Sequence, residues 1–160
     1  MQKSRSMKRI FYIVTFLLLS FGAHSQCDNY HTGINCRVSP HEAKDMVLSS
    51  QSRSAYLEAN KTYNFQMTLF GDMDYRIIFC TNKRFYPIHY TITEKETGIL
   101  LYDNKDDDYV ESIGFSIENT TIVMVEVTLL AERAKFKDFR DNRTCVGIPI
   151  LFRKRSKTGF

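Results

Sequence analysis

Short segments in which apolar and polar residues alternate recur along this chain, and they constrain its fold more than any other feature. The clearest segment spans residues 62–70, where Tyr63, Phe65, Met67 and Leu69 alternate with polar neighbours. A period of two places these side chains on one face, as in a strand of an antiparallel sheet with one side on the core. The chain is therefore expected to be mainly β.

We predict seven or eight short strands, a number typical of an antiparallel β-sandwich with a jelly-roll-like arrangement. The first two are expected to form a hairpin around residues 71–74. The strand at 122–130 is apolar on both faces, which indicates a central position. Pro149 cannot donate a ladder hydrogen bond, so the last strand should lie at an edge or carry a bulge. The clearest predicted strands are 62–70, 75–80, 88–93, 99–102, 112–117, 122–130 and 144–152.

One short helix is predicted before the strands. Ser39 can cap its start, Pro40 suits the first helical position, and Glu42 can complete a capping box. Ala43, Met46 and Val47 follow at helical spacing and would form a short apolar stripe. We expect this helix to end in the polar run 49–54.

The first 25 residues have the layout of a secretory signal peptide. A basic start precedes the apolar run 10–22, and small residues precede a cut before Gln26. The residues just before Cys27 lack the small-residue box of lipoproteins, so a lipid anchor is not expected. The predicted organisation is 1–25 signal peptide, 26–54 N-terminal segment with the helix, 55–152 β-sandwich and 153–160 disordered basic tail.

Removal of this leader changes the charge balance. The leader holds four of the 22 Lys and Arg residues and none of the 18 Asp and Glu residues, so the remainder is balanced. A balanced chain has no general attraction to nucleic acid or to an anionic membrane. No second apolar run approaches the length of a membrane span. We therefore expect a secreted or periplasmic protein without nucleic-acid partners and without a span after cleavage.

Four cysteines follow the leader, and an even number in an exported chain predicts disulfides. Three pairings are open. We favour Cys27–Cys36, which are close in sequence, together with Cys80–Cys145 between two strands. The alternative is a zinc site in which His31 and His41 join the first two cysteines, but an oxidising compartment favours disulfides.

Two loose turn phrases carry a resemblance to known proteins. The leader, the phrase Leu-Glu-Ala-Asn-Lys-Thr-Tyr at 57–63 and the stretch Gly-Ile-Leu-Leu-Tyr-Asp-Asn at 98–104 are similar to small exported β-sandwich proteins of Bacteroidetes-type bacteria. The chain also resembles the pre-peptidase C-terminal-like sandwich domains over residues 55–152. The resemblance implies an accessory domain rather than a catalytic one, and it carries over no site residues.

Two surface sites are candidates for ligands. The acidic run 103–108 lies between two predicted strands and could bind calcium through carboxylate and amide oxygens, although Lys105 within it opposes a cation. Its expected ligands are Asp103, Asn104, Asp106 and Asp108. Exposed aromatic rings could stack on sugars, as in carbohydrate-binding modules. The candidate rings are Tyr30, Tyr56, Tyr86, Tyr90 and Tyr109.

Catalysis has little support in the sequence. The chain lacks a nucleophile elbow, a metalloprotease helix motif, a phosphate loop and a dinucleotide glycine pattern. His89 alternates with apolar neighbours and is expected to face solvent. We predict an exported, non-enzymatic binding or accessory module whose partner is a protein or glycan in the periplasm or at the cell surface. The alternatives are a carbohydrate-binding module and a hydrolytic enzyme with a spatially assembled site.

Overall fold

A computed structural model describes residues 27–36, 38, 43–132 and 142–155 of the chain. These residues form eleven strands, paired antiparallel throughout, and four short 3-10 helices. The antiparallel β fold expected from the alternating pattern is confirmed. The strands are β1 (Val47–Leu48), β2 (Arg53–Glu58), β3 (Thr62–Leu69), β4 (Met73–Ile78), β5 (Cys80–Thr81), β6 (Ile88–Glu94), β7 (Leu100–Asp103), β8 (Ser112–Ile117), β9 (Thr121–Leu129), β10 (Arg143–Ile148) and β11 (Ile150–Lys154).

The strands lie in two layers. One layer is the four-stranded sheet β3-β9-β6-β7. The other contains two sheets, β1-β11-β4-β8 and β2-β10-β5, which the chain joins because β4 leads into β5 and β10 leads into β11. A single residue interrupts each of these junctions, Phe79 in one and Pro149 in the other. The two breaks lie side by side, since the Ile78 N–H donates to the Pro149 carbonyl at 3.0 Å.

One core of buried side chains lies between the layers. Strand β9 shows the pattern best, because Val123, Val125, Val127 and Leu129 are each at most 1% exposed. Burial of a side chain of this size stabilises the fold by about 1.5–3 kcal/mol. Strand β9 pairs with β3 on one side and with β6 on the other, so its predicted central position is confirmed.

The predicted hairpin between residues 62–70 and 75–80 is wrong. Strand β3 pairs with β9, whereas β4 pairs with β8 and β11 in the other layer. The connection between them crosses from one layer to the other. It passes so close to the β8–β9 connection that a Cβ on Gly71 would lie 2.6 Å from the Glu118 carbonyl oxygen. A short polar turn fits a hairpin and a layer crossing equally, so alternation alone does not separate the two.

The predicted N-terminal helix is not found in the described part of the segment. Residues 39–42, which would start it, lie outside the described residues. Residues 43–45 form a turn, and Val47 begins β1, where it pairs with Phe152 of β11. Three apolar residues bury too little surface to offset the cost of starting a helix, and pairing with β11 satisfies the backbone instead.

The predicted last strand is divided in two by Pro149. Strand β10 lies between β2 and β5, and β11 lies between β1 and β4, so the expected edge position is wrong. Proline has no N–H and cannot donate a ladder hydrogen bond, so the strand pairing is interrupted at Pro149. Strand β11 continues through Lys154, so the first two residues of the predicted disordered tail belong to a strand. The leader, the connection 133–141 and residues 156–160 lie outside the described residues.

The predicted disulfides are confirmed, but their predicted pairing is wrong. Cys27 bonds to Cys145 of β10, and Cys36 bonds to Cys80 of β5. In the register of these adjacent strands Cys80 lies opposite Gly147, so it is offset from Cys145 by two residues. Each strand cysteine therefore pairs with the N-terminal segment 27–36, which both bonds hold against β10 and β5.

The long sequence separations make these bonds effective cross-links. They join residues 118 and 44 positions apart. Each disulfide lowers the chain entropy of the unfolded state. Acting alone, Cys27–Cys145 would stabilise the fold by about 5 kcal/mol and Cys36–Cys80 by about 4 kcal/mol.

Gly147 allows the N-terminal segment to lie against β10. A Cβ at this position would come within 2.8 Å of the His31 Cα and 2.9 Å of the Cys80 sulfur. Both neighbours are fixed, one by its backbone and the other by a disulfide. The absence of a side chain on Gly147 is therefore a condition for the disulfide-linked segment to pack here.

We expect Gly147→Ala to lower the free energy of unfolding by about 1–3 kcal/mol, because the added methyl group overpacks this contact. Urea unfolding with both disulfides intact measures the change. The control is Gly114→Ala, since a Cβ on Gly114 meets nothing closer than the Tyr75 carbonyl oxygen at 3.6 Å. Equal losses of stability in the two variants would contradict the close packing at Gly147.

Candidate functional site

Strand β7, at one edge of the β3-β9-β6-β7 sheet, and the residue before it form an exposed apolar run. Ile99, Leu100 and Leu101 are 57%, 56% and 43% exposed. The register between β6 and β7 shifts here, since Ile92 lies opposite Tyr102 and Thr93 lies opposite Leu100. Leu101 is thus the extra residue of a β-bulge, which interrupts the alternation of faces. The bulge explains how adjacent leucines are both left in solvent on one edge strand.

Asn104 fixes the end of this strand from inside. Its side chain is fully buried, and its Oδ1 accepts from the Tyr90 N–H at 2.9 Å. Its Nδ2 donates to the carbonyl oxygens of Ile88 at 2.8 Å and Val110 at 3.1 Å. The carboxamide thus continues the hydrogen bonding of β6 beyond the last residue of β7. Because a buried amide with three partners is costly to disturb, it holds β7 and the following turn rigidly.

Aromatic residues support the inner side of the same hairpin. Phe79 stacks on Tyr90 with ring centroids 3.8 Å apart, and Tyr90 packs against Tyr102 at 5.9 Å. The Tyr102 hydroxyl donates to the Asp107 carboxylate at 2.7 Å. Burial and this neighbouring carboxylate raise the pKa of Tyr102 to about 12. Burial also raises the pKa of Tyr90 far above its ordinary value.

A histidine and a carboxylate connect β6 to the turn. His89 Nε2 lies 2.8 Å from Asp103 Oδ1, which also accepts from the Lys105 N–H at 2.9 Å. Burial opposes ionisation of Asp103, but these two partners outweigh it and the pKa of Asp103 is lowered. The predicted alternation holds in β6, since Ile88 and Tyr90 are buried and His89 between them is half-buried, with its outer part hydrogen-bonded to Asp103.

The hairpin and its turns are acidic. Residues 94–111 contain seven Asp and Glu residues and two Lys residues. Asp106, Asp107 and Asp108 are exposed and lie in the turn after β7. We call residues 99–101 and 103–108 together the hairpin edge, which is an apolar strip with an acidic end.

The predicted calcium ligands are only partly available for a cation. Asp103 and Asn104 already bond to protein donors through their Oδ1 atoms, whereas Asp106 and Asp108 face solvent. Among the described residues, no group of three or more His, Cys, Asp or Glu side chains is placed to hold a metal ion. Calcium binding stays a prediction, which the melting temperature with and without EDTA would test.

The predicted sugar-stacking tyrosines do not form one platform. Tyr90 is fully buried, and the Tyr86 hydroxyl lies 3.3 Å from Glu111 and bonds to the Thr81 N–H. Tyr56 is exposed on β2, in the opposite layer. Tyr30 belongs to the disulfide-linked segment, and Tyr109 packs edge-on against His89.

One histidine–serine pair bears on the hydrolase alternative. His31 Nδ1 lies 2.8 Å from the Ser54 hydroxyl, which also accepts from the His31 backbone N–H at 2.9 Å. The pair therefore ties the N-terminal segment to β2. A catalytic triad would also need a carboxylate that orients the ring, and none of the described residues shows such a contact to His31.

The apolar part of the hairpin edge is not among the sites predicted from the sequence. Residues 99–102 are a predicted strand, but the prediction assigns no function to Ile99, Leu100 and Leu101. Three successive apolar residues in a short segment beside an acidic run were the available signal.

The fold and the site define a two-layer antiparallel β-sandwich with an acidic hairpin at one edge. No family model matches the chain, and no curated protein matches it. The resemblance to pre-peptidase-like domains thus stays a prediction. Among solved structures the chain is similar to PliG of Aeromonas hydrophila, a periplasmic lysozyme inhibitor of g-type lysozyme, at 9% identity and a TM-score of 0.41. That match covers 66% of this chain and 90% of PliG.

We expect Asn104→Ala to destabilise the protein by about 2–4 kcal/mol, because it leaves three backbone groups of the hairpin without their partner. Urea unfolding measures the loss. Asp106→Asn serves as the control in the same turn, since Asp106 is exposed, and should change stability by less than about 0.5 kcal/mol. A loss no larger than that of the control would show that the Asn104 amide does not hold the hairpin.

The raised pKa of Tyr102 predicts a loss of stability in alkali. The unfolded chain releases the phenolic proton near its ordinary pKa of about 10, whereas the folded chain keeps it until about pH 12. The unfolded state then binds fewer protons, so the free energy of unfolding falls as pH rises through this window. Tyr102→Phe should make the fall shallower in urea unfolding between about pH 10 and about pH 11. Tyr56→Phe, at an exposed tyrosine, is the control, and equal slopes in all three proteins would contradict the assignment.

Proposed function

We propose that this chain is an exported, non-enzymatic binding protein and that its ligand is another protein, bound at the hairpin edge. The observation that carries this proposal is the exposed run Ile99–Leu100–Leu101 on a rigidly held edge strand. Adjacent exposed apolar side chains on an ordered element favour a binding surface, because in water they have no role that stabilises the fold.

The local geometry supports a preorganised surface. The Asn104 amide and the Tyr102–Asp107 hydrogen bond hold the strand and its turn in one conformation. A surface that is already ordered loses little conformational entropy when it binds. The exposed leucines can therefore contribute to affinity without a prior rearrangement.

The charge of the hairpin edge selects the partner. Seven acidic and two basic residues in 94–111 give this region a negative potential, although the chain after the predicted leader is balanced overall. Such a surface attracts cationic proteins and speeds their association. We infer a partner with a basic surface that surrounds an apolar patch.

The disulfides and the predicted leader together support an exported location. Two disulfides that cross-link distant parts of the chain are typical of oxidising compartments, and the predicted signal peptide would deliver the protein there. None of the described helices is long and apolar enough to cross a membrane. These observations support a role in the periplasm or outside the cell.

The carbohydrate-binding and hydrolase alternatives have less support. A sugar platform needs rings that converge, and the candidate tyrosines are spread over both layers or buried. A hydrolase needs a nucleophile, a base and an orienting group in one cleft. The His31–Ser54 pair offers only the first two, in a contact that anchors the N-terminal segment.

The proposal is tested by binding measurements with purified proteins. The oxidised protein is titrated against a panel of basic and acidic proteins, which includes a g-type lysozyme, at low and at high salt. We expect a basic member to bind more weakly at high salt. Ile99→Ser combined with Leu101→Ser should weaken that binding about 10-fold or more, because the apolar contact is lost.

The matched control is Phe70→Ser. Phe70 is an exposed apolar residue at the connection between β3 and β4, outside the hairpin edge, so its substitution should leave binding unchanged. If no basic protein binds, or if the control loses as much affinity as the double variant, the proposal is wrong.

A further inference from the structure

We infer that the partner binds by adding an extended segment to β7, as a further strand of the β3-β9-β6-β7 sheet. This inference rests on the proposed function and specifies how the hairpin edge would act. Strand β7 pairs with β6 on one side, and on the other side it is the last of the described strands in this sheet. Half of the peptide groups in an edge strand point away from the sheet and can pair with another chain.

The opposite edge of the same sheet is covered by a side chain at one position. At β3 the Gln51 side chain accepts from the Thr68 N–H at 2.9 Å and donates to the Thr68 carbonyl at 2.8 Å. The carboxamide thus occupies the place where a neighbouring strand would bond. No hydrogen bond of this kind reaches the backbone of β7 from the described residues.

The sequence of β7 leaves its edge open as well. Residues 99–103 read Ile-Leu-Leu-Tyr-Asp, without the proline or lysine that commonly protects an edge. The bulge at Leu101 leaves only a few residues of β7 in a regular strand conformation. A short regular stretch beside two exposed leucines favours pairing with one segment in one register, and it disfavours the repeated addition of further strands.

The charge at the two ends of the strand indicates the occupant. Glu96 lies in the turn before β7, and Asp106 and Asp108 lie in the turn after it, all exposed. A second copy of this chain paired at the same edge would bring two such acidic turns together, which is unfavourable. A segment of a different protein that alternates basic and apolar residues matches both the charge and the exposed leucines.

The test uses a peptide as the probe, so no variant of the protein has to fold. A peptide of about ten residues that alternates Lys and Val is titrated into the oxidised protein. Two versions carry N-methyl groups on every second residue, one at the Lys positions and the other at the Val positions. Because alternate N–H groups face opposite sides of a strand, only one version can present free donors to β7 in antiparallel pairing, the direction of every strand pair in this fold, with the same side-chain arrangement.

We expect the two methylated peptides to differ in affinity by about 10-fold or more, and the unmethylated peptide to slow hydrogen exchange at amides of residues 100–103. A peptide that alternates Glu and Val is the charge control and should bind far more weakly. Equal affinities of the methylated peptides without slower exchange would overturn strand addition.

The two proposals fail in distinguishable ways. If a basic protein binds and the Ile99→Ser, Leu101→Ser double variant weakens it, but the peptide results are negative, the proposed function stands and strand addition falls. If neither a basic protein nor the peptide binds, both fall. Self-association of the protein that the Lys–Val peptide displaces would identify a second copy as the occupant and overturn the inference of a basic partner.

Discussion

The stacking of Phe79 on Tyr90 is the contact on which the arrangement of the two layers depends. Phe79 lies in the break between β4 and β5, and Tyr90 lies in the middle of β6, so the stack joins the layers at the point where one of them is interrupted. Both residues are fully buried. The Phe79 N–H donates to the Glu111 carbonyl, and the Tyr90 N–H donates to the Asn104 side chain. Glu111 and Asn104 both lie in the connection between β7 and β8. Core packing and the geometry of the hairpin are thereby linked.

The candidate binding surface is consequently supported by the core. Tyr90 packs on Tyr102 from within, and the buried Asn104 amide closes the end of β7. The outer edge of the hairpin differs from this aromatic inner side. Leu100 and Leu101 are exposed to solvent there, and an acidic turn follows them. A rigid inner face with an apolar outer edge is the arrangement expected of a preorganised interaction surface.

The second constraint begins at Cys80, the residue after Phe79, where two disulfides hold residues 27–36 against β10 and β5. The segment has little apolar surface of its own, and it packs closely only because Gly147 lacks a side chain. Cross-links between distant residues replace a hydrophobic interface that so short a segment cannot form.

Most of the strands, the central position of β9 and the presence of disulfides can be predicted from the amino-acid sequence alone. These features follow from local periodicity and from the number of cysteines, and both can be read without knowing which strands are neighbours. Three other features depend on the tertiary fold: β3 and β4 lie in different layers, Cys27 pairs with Cys145, and the Asn104 side chain is buried and hydrogen-bonded within the protein instead of being available to a cation. Each of these depends on contacts between residues distant in sequence, and a period of two is the same whichever partner a strand has.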